Sequence, residues 1–145
     1  MLEKFPETLD ELISDNLTTL TEVSADLNCG ESTLSRYTNG TALPTLEMTV
    51  KLANYFGVTC DYLLGLDTDY YSGKFTTRCP SFKRRFKAVL KEFKISRYKL
   101  TQMTGIAESV MRYWIQGKTE PSITNVVKIA QALGCTVDYL IGRRV

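Results

Sequence analysis

Apolar positions along this chain fall into short helical stripes separated by glycine, asparagine and hydroxyl residues, and the same succession of stripes occurs twice. Phe82, Phe86, Val89, Leu90 and Phe93 follow an i, i+4, i+7, i+8, i+11 spacing, which predicts an amphipathic helix. Its other face is Lys83, Arg84, Arg85, Lys87, Lys91 and Lys94. Near the N-terminus, Leu9, Leu12 and Ile13 form the inward side of a matching helix, with Glu7, Asp10, Glu11 and Asp15 outside. Pro6 stands near its first helical position, where the missing N–H costs nothing.

Four more helices are predicted in each half. Thr19-Leu20-Thr21-Glu22 has the Thr-x-x-Glu form of a capping box, and Ser96 takes the same place in the second half. These second helices run to about Leu27 and Thr104 and stop at Asn28 and Gly105, the residue types most tolerant of a left-handed backbone. Third helices follow, Glu31 to about Asn39 and Glu108 to about Gln116, closed by Gly40 and Gly117. Thr45 and Ser122 cap fourth helices that bury Leu46, Val50, Leu52, Ala53 and Phe56, or Ile123, Val126, Val127, Ile129, Ala130 and Leu133. Thr59 and Thr136 cap fifth helices that carry Tyr62-Leu63 and Tyr139-Leu140 inward. Helix, tight turn and short helix with polar residues at its start is the helix-turn-helix arrangement. The stripes read as core, and no cofactor is expected.

A shift of 77 residues superimposes the halves without a gap. Phe5 falls on Phe82, Glu31-Ser32 on Glu108-Ser109, Gly40 on Gly117, Pro44 on Pro121 and Val50-Lys51 on Val127-Lys128. Asp61-Tyr62-Leu63-Leu64-Gly65 falls on Asp138-Tyr139-Leu140-Ile141-Gly142. The repeat divides the chain into an acidic module over 1–66, a linker over 67–81 and a basic module over 82–145. Modules of this size lie near the lower limit for an independent core, which favours compact helical packing.

The formal charge of +2 conceals a division. Residues 1–72 hold 3 Lys/Arg against 12 Asp/Glu, and residues 73–145 hold 15 against 4. Only the second half suits a polyanion. No apolar run approaches the ~18 residues of a spanning helix, and Met1-Leu2-Glu3-Lys4-Phe5-Pro6 lacks the layout of a signal peptide, so a cytoplasmic protein without membrane contact is expected. Cys29, Cys60, Cys79 and Cys135 show no CxxC spacing and the chain has no histidine, so no metal site is expected. Cys29 and Cys135 fall where the module takes a small apolar residue and read as core filler, while Cys79 lies in the linker. The commonest general base is missing and no catalytic set emerges, so an enzyme is not expected.

Ser32-Thr33-Leu34-Ser35-Arg36-Tyr37-Thr38-Asn39-Gly40, then Pro44, Lys51-Leu52-Ala53 and Asp61-Tyr62-Leu63-Leu64-Gly65, resemble the Cro/C1-type helix-turn-helix family with the lambda-repressor-like fold. The second half matches through Leu100, Gly105, Ser109, Gly117, Pro121, Lys128-Ile129-Ala130, Leu133-Gly134 and Asp138-Tyr139-Leu140. The resemblance implies an all-α protein of two tandem five-helix lambda-repressor-like DNA-binding domains. It departs from the family at Ile13 with Thr38 and Leu90 with Ile115, where members often pair a basic with an acidic residue. An apolar contact replacing an ion pair is compatible with the fold, but it removes a basic group that could sit beside a phosphate.

In this family the third helix enters the major groove, while the start of the second helix and the loop after the third hold phosphates. Carried onto the second half, the base-reading candidates are Glu108, Ser109, Val110 and Tyr113, with Arg112 and Gln116 alongside, and the phosphate candidates are Ser96, Arg97, Lys118 and Thr119. Ser96 has a physical reason of its own, since unpaired amides at a helix start attract a phosphate oxygen. Glu108 either complements its helix dipole or accepts a hydrogen bond from cytosine. Trp114 aligns with Tyr37 at a core position, which leaves Tyr113 exposed. The basic face of the first helix is either a solvated surface or a source of long-range attraction. The weaker equivalents in the first half are Glu31, Ser32, Thr33, Arg36 and Asn39.

The resemblance implies a sequence-specific transcriptional regulator, a repressor, with double-stranded DNA as partner and no small-molecule effector. The acidic module either forms a homodimer that spaces two basic modules or docks on a basic module. The alternatives are an antitoxin-like regulator whose acidic half grips a basic partner, and an interaction module that keeps the fold without the DNA function. Tyr70 and Tyr71 are expected to pack between the modules.

Overall fold

The structure, a computed structural model, describes residues 2–68 and 79–143. Tyr70 and Tyr71 lie outside the described residues. The chain divides into two compact units, each with five helices and no strand among the described residues. The first contains α1 (Phe5–Asp15), α2 (Leu20–Leu27), α3 (Glu31–Thr38), α4 (Leu46–Phe56) and α5 (Cys60–Leu63). The second contains α6 (Phe82–Glu92), α7 (Arg97–Thr104), α8 (Glu108–Gln116), α9 (Ile123–Leu133) and α10 (Val137–Ile141). No described helix is long and apolar enough to cross a membrane.

Hydroxyl caps set most of the helix starts. Thr19, Thr45 and Thr59 accept from Glu22, Met48 and Tyr62 amides at 3.2, 3.1 and 3.0 Å, satisfying donors that the helix itself cannot. Ser96, Ser122 and Thr136 do the same for Lys99, Asn125 and Tyr139 at 3.0, 3.2 and 3.0 Å. The Glu22 carboxylate of the predicted capping box accepts from the Thr18 hydroxyl at 2.9 Å. Asn28 and Gly105 take the left-handed conformation at φ 52° and 77°, turning the chain from α2 to α3 and from α7 to α8.

Burial follows the apolar stripes. In the first unit α1 packs on α3, and Phe5, Leu9, Val23, Leu34, Leu52, Leu63 and Leu64 are fully buried. In the second unit α6 packs on α8 and α10, around Phe86, Val89, Leu100, Met111, Ile129 and Leu140. Trp114 is buried, edge-on to Phe82 and Phe86 with centroids 5.8 and 5.7 Å apart, and its counterpart Tyr37 packs on Phe5 at 6.0 Å. Edge-to-face contacts of this kind fill a core with rigid area.

The fold departs from the sequence expectation at several side chains. Tyr139 is 41% exposed, not inward, because residues adjacent on one turn cannot both face the core and Leu140 takes the buried side. Its phenol donates to the Glu92 carboxylate, and Arg85 lies 4.9 Å from its ring centroid while donating to its carbonyl at 2.6 and 3.1 Å. Tyr62 is likewise half-buried. Leu46 and Val50 are half-buried, and the polar Thr49 is fully buried between them, its hydroxyl donating to the Thr45 carbonyl at 2.8 Å. Leu133 is half-buried too. Cys29 and Cys135 are half-buried at turns, and Cys60 is the fully buried cysteine. Burial raises the Cys79 thiol above its ordinary range, opposite to what an activated thiolate requires.

Candidate nucleic-acid interface

The second unit presents its third helix, α8, with one face anchored and the other open. Met111 and Trp114 are buried, and Ser109, Val110, Arg112, Tyr113 and Gln116 are exposed. Glu108, at the first position, is half-buried. Ala107 precedes it without a side-chain cap, so Glu108 stands beside amides that lack side-chain acceptors. Val110 and Tyr113, 36% and 47% exposed, are large apolar surfaces at i, i+3 spacing on the open face.

Of the phosphate candidates, Ser96 is the N-cap of α7, and its hydroxyl oxygen accepts from the Lys99 amide at 3.0 Å. That leaves the Arg97 and Tyr98 amides at the helix start, with the Ser96 proton free to donate outward. Arg97 is half-buried, while Lys118 and Thr119 are exposed in the loop after α8. Gly117 at φ 74° starts that loop, and the Lys118 amide closes it on the Tyr113 carbonyl at 3.0 Å. The Lys118 ammonium lies 5.7 Å from the centroid of the Tyr113 ring. A base-reading candidate and a phosphate candidate are thereby brought together at the end of α8.

Two further side chains stand near the starts of α7 and α6, Tyr98 outside the candidates named above and Lys83 named there only as part of a basic helix face. Tyr98, at the second position of α7, is 65% exposed. Lys83 of α6 lies over Gly117, its Cδ 3.4 Å from where a Cβ would stand. The repeat register is the signal that could locate them, because it sets Tyr98 opposite Thr21 and Lys83 opposite Pro6.

The corresponding face of the first unit is partly occupied by its own residues. Thr21 donates to the Glu31 carboxylate at 3.1 Å, linking α2 to the start of α3. The Asn39 carbonyl oxygen accepts from the Thr41 amide at 3.1 Å and from its hydroxyl at 2.7 Å, so Asn39 builds the turn after α3. Thr33 is half-buried, and Ser32 and Arg36 are exposed. Lys4, Arg36 and Lys51 are the cations of residues 1–72, and the Lys51 ammonium lies 3.3 Å from the Glu47 carboxylate. Among the described residues no three acidic, cysteine or histidine side chains converge as a metal site would require.

The profile of the helix-turn-helix family matches residues 16–63 and again 86–140. The repressor protein C2 of Salmonella phage P22 is 33% identical over 57 residues, which is 39% of this chain and 26% of that repressor. The chain thus spans about a quarter of the length of the curated relative it matches. No solved structure matches. Each matched segment covers its unit's helix-turn-helix, α2 with α3 and α7 with α8, and together they exceed half of the chain. The chain belongs to the Cro/C1-type helix-turn-helix family and carries its module twice.

Proposed function

We propose that this protein is a sequence-specific DNA-binding transcriptional regulator acting as a repressor, in which the basic module over 82–145 makes the main DNA contact. The observation that carries the reading is the charge division between two copies of one fold, 3 cations against 12 anions and then 15 against 4. Duplex DNA selects the second copy at long range, because neutralising phosphates and releasing their counterions supplies most non-specific affinity. In that copy the N-terminal part of α8 reads base edges through Glu108, Ser109, Val110 and Tyr113, with Arg112 and Gln116 beside them. Ser96, Arg97, Lys118 and Thr119 hold the backbone. The name of the phage relative supports the repressor assignment.

The acidic module over 1–66, joined through 67–81, serves protein contact. Its α3 face supports this role, since Glu31 and Asn39 are engaged within the module and its net charge repels phosphate. It sets the spacing of two basic modules as a homodimer or docks on a basic module.

Titrating duplex DNA with the full chain, and with fragments 1–72 and 74–145, tests the reading. The full chain and the basic fragment are expected to bind with steep salt dependence, and the acidic fragment is not. Failure of both the full chain and the basic fragment to bind at low salt would end the regulator reading. Light scattering on 1–72 addresses dimerisation, and a monomer at high concentration counts against it.

A further inference from the structure

In each unit the second residue of the first helix packs against the glycine that closes the third. A Cβ at Gly40 would lie 3.6 Å from Pro6 Cγ, and one at Gly117 would lie 3.4 Å from Lys83 Cδ. Pro6 and Lys83 are equivalent in the repeat, so the fold asks here only for an aliphatic surface. Lys83 supplies it with its methylene stem and carries a charge to the rim. Because Gly117 directly precedes Lys118 and Thr119, Lys83 continues the edge of that loop onto α6.

Lys83, Arg84 and Lys87 are all exposed and line one depression with Ser81. Among the described residues none of the three forms an ion pair, the carboxylate pairs being Lys51 with Glu47 and Arg143 with Asp138. The first unit has Pro6, Glu7 and Asp10 at the same three places. Since one fold is built with carboxylates or with cations there, the cations are not a structural requirement. They also oppose the helix: Lys83, Arg84 and Arg85 occupy the first turn of α6 with no acid beside them, where the helix dipole disfavours positive charge. An anion laid across this surface relieves that opposition.

We propose that Lys83 and Arg84, with Lys87 one turn behind, form a second row of contacts to the DNA backbone, gripping phosphates that flank the stretch read by α8. The inference rests on the DNA-binding reading above and extends the footprint of the second module onto a helix outside the helix-turn-helix. Continuity with the Lys118 loop selects the backbone of the same duplex as occupant, because DNA held by Lys118 and Thr119 runs beside Lys83.

The test compares the full chain with Lys83→Gln/Arg84→Gln and with Lys91→Gln/Lys94→Gln, which removes equal charge from the last turn of α6 and the turn after it. The measurements are duplex affinity as a function of salt and interference by ethylation of single phosphates. The first variant is expected to lower the slope of log affinity against log salt by about 2, at ~0.9 per phosphate, and to lose interference at flanking phosphates only. The second should change the slope by less than about half of that and leave the interference pattern intact. Equal slope losses in the two variants would reduce the patch to long-range attraction and overturn the proposal. So would wild-type DNA binding with an unchanged slope in the first variant, or a first variant that loses self-association while keeping its phosphates. A wild-type chain that bound no duplex at low salt would overturn the DNA-binding reading as well. Arg84→Glu, which reproduces Glu7 of the first module, supplies a variant whose fold has a precedent in the same chain, and it should lose the same interference.

Discussion

The ammonium of Lys118 stands over the ring of Tyr113, 5.7 Å from its centroid, so the end of α8 and the loop after it are held as one surface. An exposed cation–π contact contributes about 0.5–1 kcal/mol, enough to bias the rotamers of both side chains without locking them. Lys118→Ala should weaken binding to all sequences and flatten the salt slope by about 1, as should Arg97→Ala, because the proposed interface assigns each of them to a phosphate. Tyr113→Ala should instead change the ranking of sites in a selection from random duplexes. Equal losses on specific and random DNA for Tyr113→Ala would remove it from the readout set.

Trp114 is the single tryptophan of the chain and is buried against Phe82 and Phe86, so its fluorescence reports on the second unit alone. Phe86→Ala deletes a fully buried ring and should cost about 3–5 kcal/mol. Urea unfolding followed by fluorescence should show the midpoint falling steeply. Leu9→Ala, an equally buried change in the first unit, should leave the fluorescence midpoint nearly in place. Matching shifts would mean that the two units unfold as one.

Arg143 and Asp138 form an ion pair at 2.7 Å with side-chain exposures of 0% and 11%. Leu66 is the equivalent of Arg143 in the first module, so the pair is particular to the second. Deleting the carboxylate from this buried pair is costly, and Asp138→Ala should cost about 3–5 kcal/mol in a thermal or urea melt. Asp138→Leu/Arg143→Met should recover much of the loss. If Asp138→Ala were as stable as wild type, the pair would have no net role.

The Glu92 carboxylate accepts from the Tyr139 phenol and, with a smaller contribution from burial, raises that phenol above its ordinary value of 10.0. A raised phenol favours folding while it is protonated, so the contribution is complete below the unfolded value and is lost as pH rises through the folded one. Stability from this contact should therefore be level between about pH 7 and about pH 9 and decline only in stronger alkali. In Tyr139→Phe the last part of the phenolate absorbance titration should shorten. Loss of a phenolate step at about pH 10 instead, with the last part of the curve kept, would show that Glu92 does not hold the phenol.

Much of the fold is legible before any coordinates, because it rests on local rules. Hydroxyl residues at 19, 45, 59, 96, 122 and 136 cap helices through short-range bonds to the third residue on, and Asn28 and Gly105 supply the left-handed turns their types favour. Other local features are not legible. Leu17 and Lys94 both adopt positive φ, 54° and 52°, at the end of the first helix of each unit, although neither residue type favours that conformation. The amides of Thr18 and Ile95 bond the carbonyls of Ile13 and Leu90 at 3.2 and 3.1 Å, and this closure accompanies the left-handed backbone there.

The sequence by itself determined the repeat, the five helices of each copy, the charge division and the split of the second module's third helix into a buried Trp114 side and an open Tyr113 side. These follow from periodicity, capping chemistry and net charge, which depend on neighbours a few residues apart or on no neighbours at all. Only the tertiary structure decided which side chains meet across those helices. It turned Tyr139 out to Glu92 and Arg85, closed Glu31 on Thr21 and Asn39 on Thr41, set Lys118 over Tyr113 and laid Lys83 across Gly117. Such contacts depend on helix crossing and rotamer choice, which the period of a helix leaves open and the packed core selects.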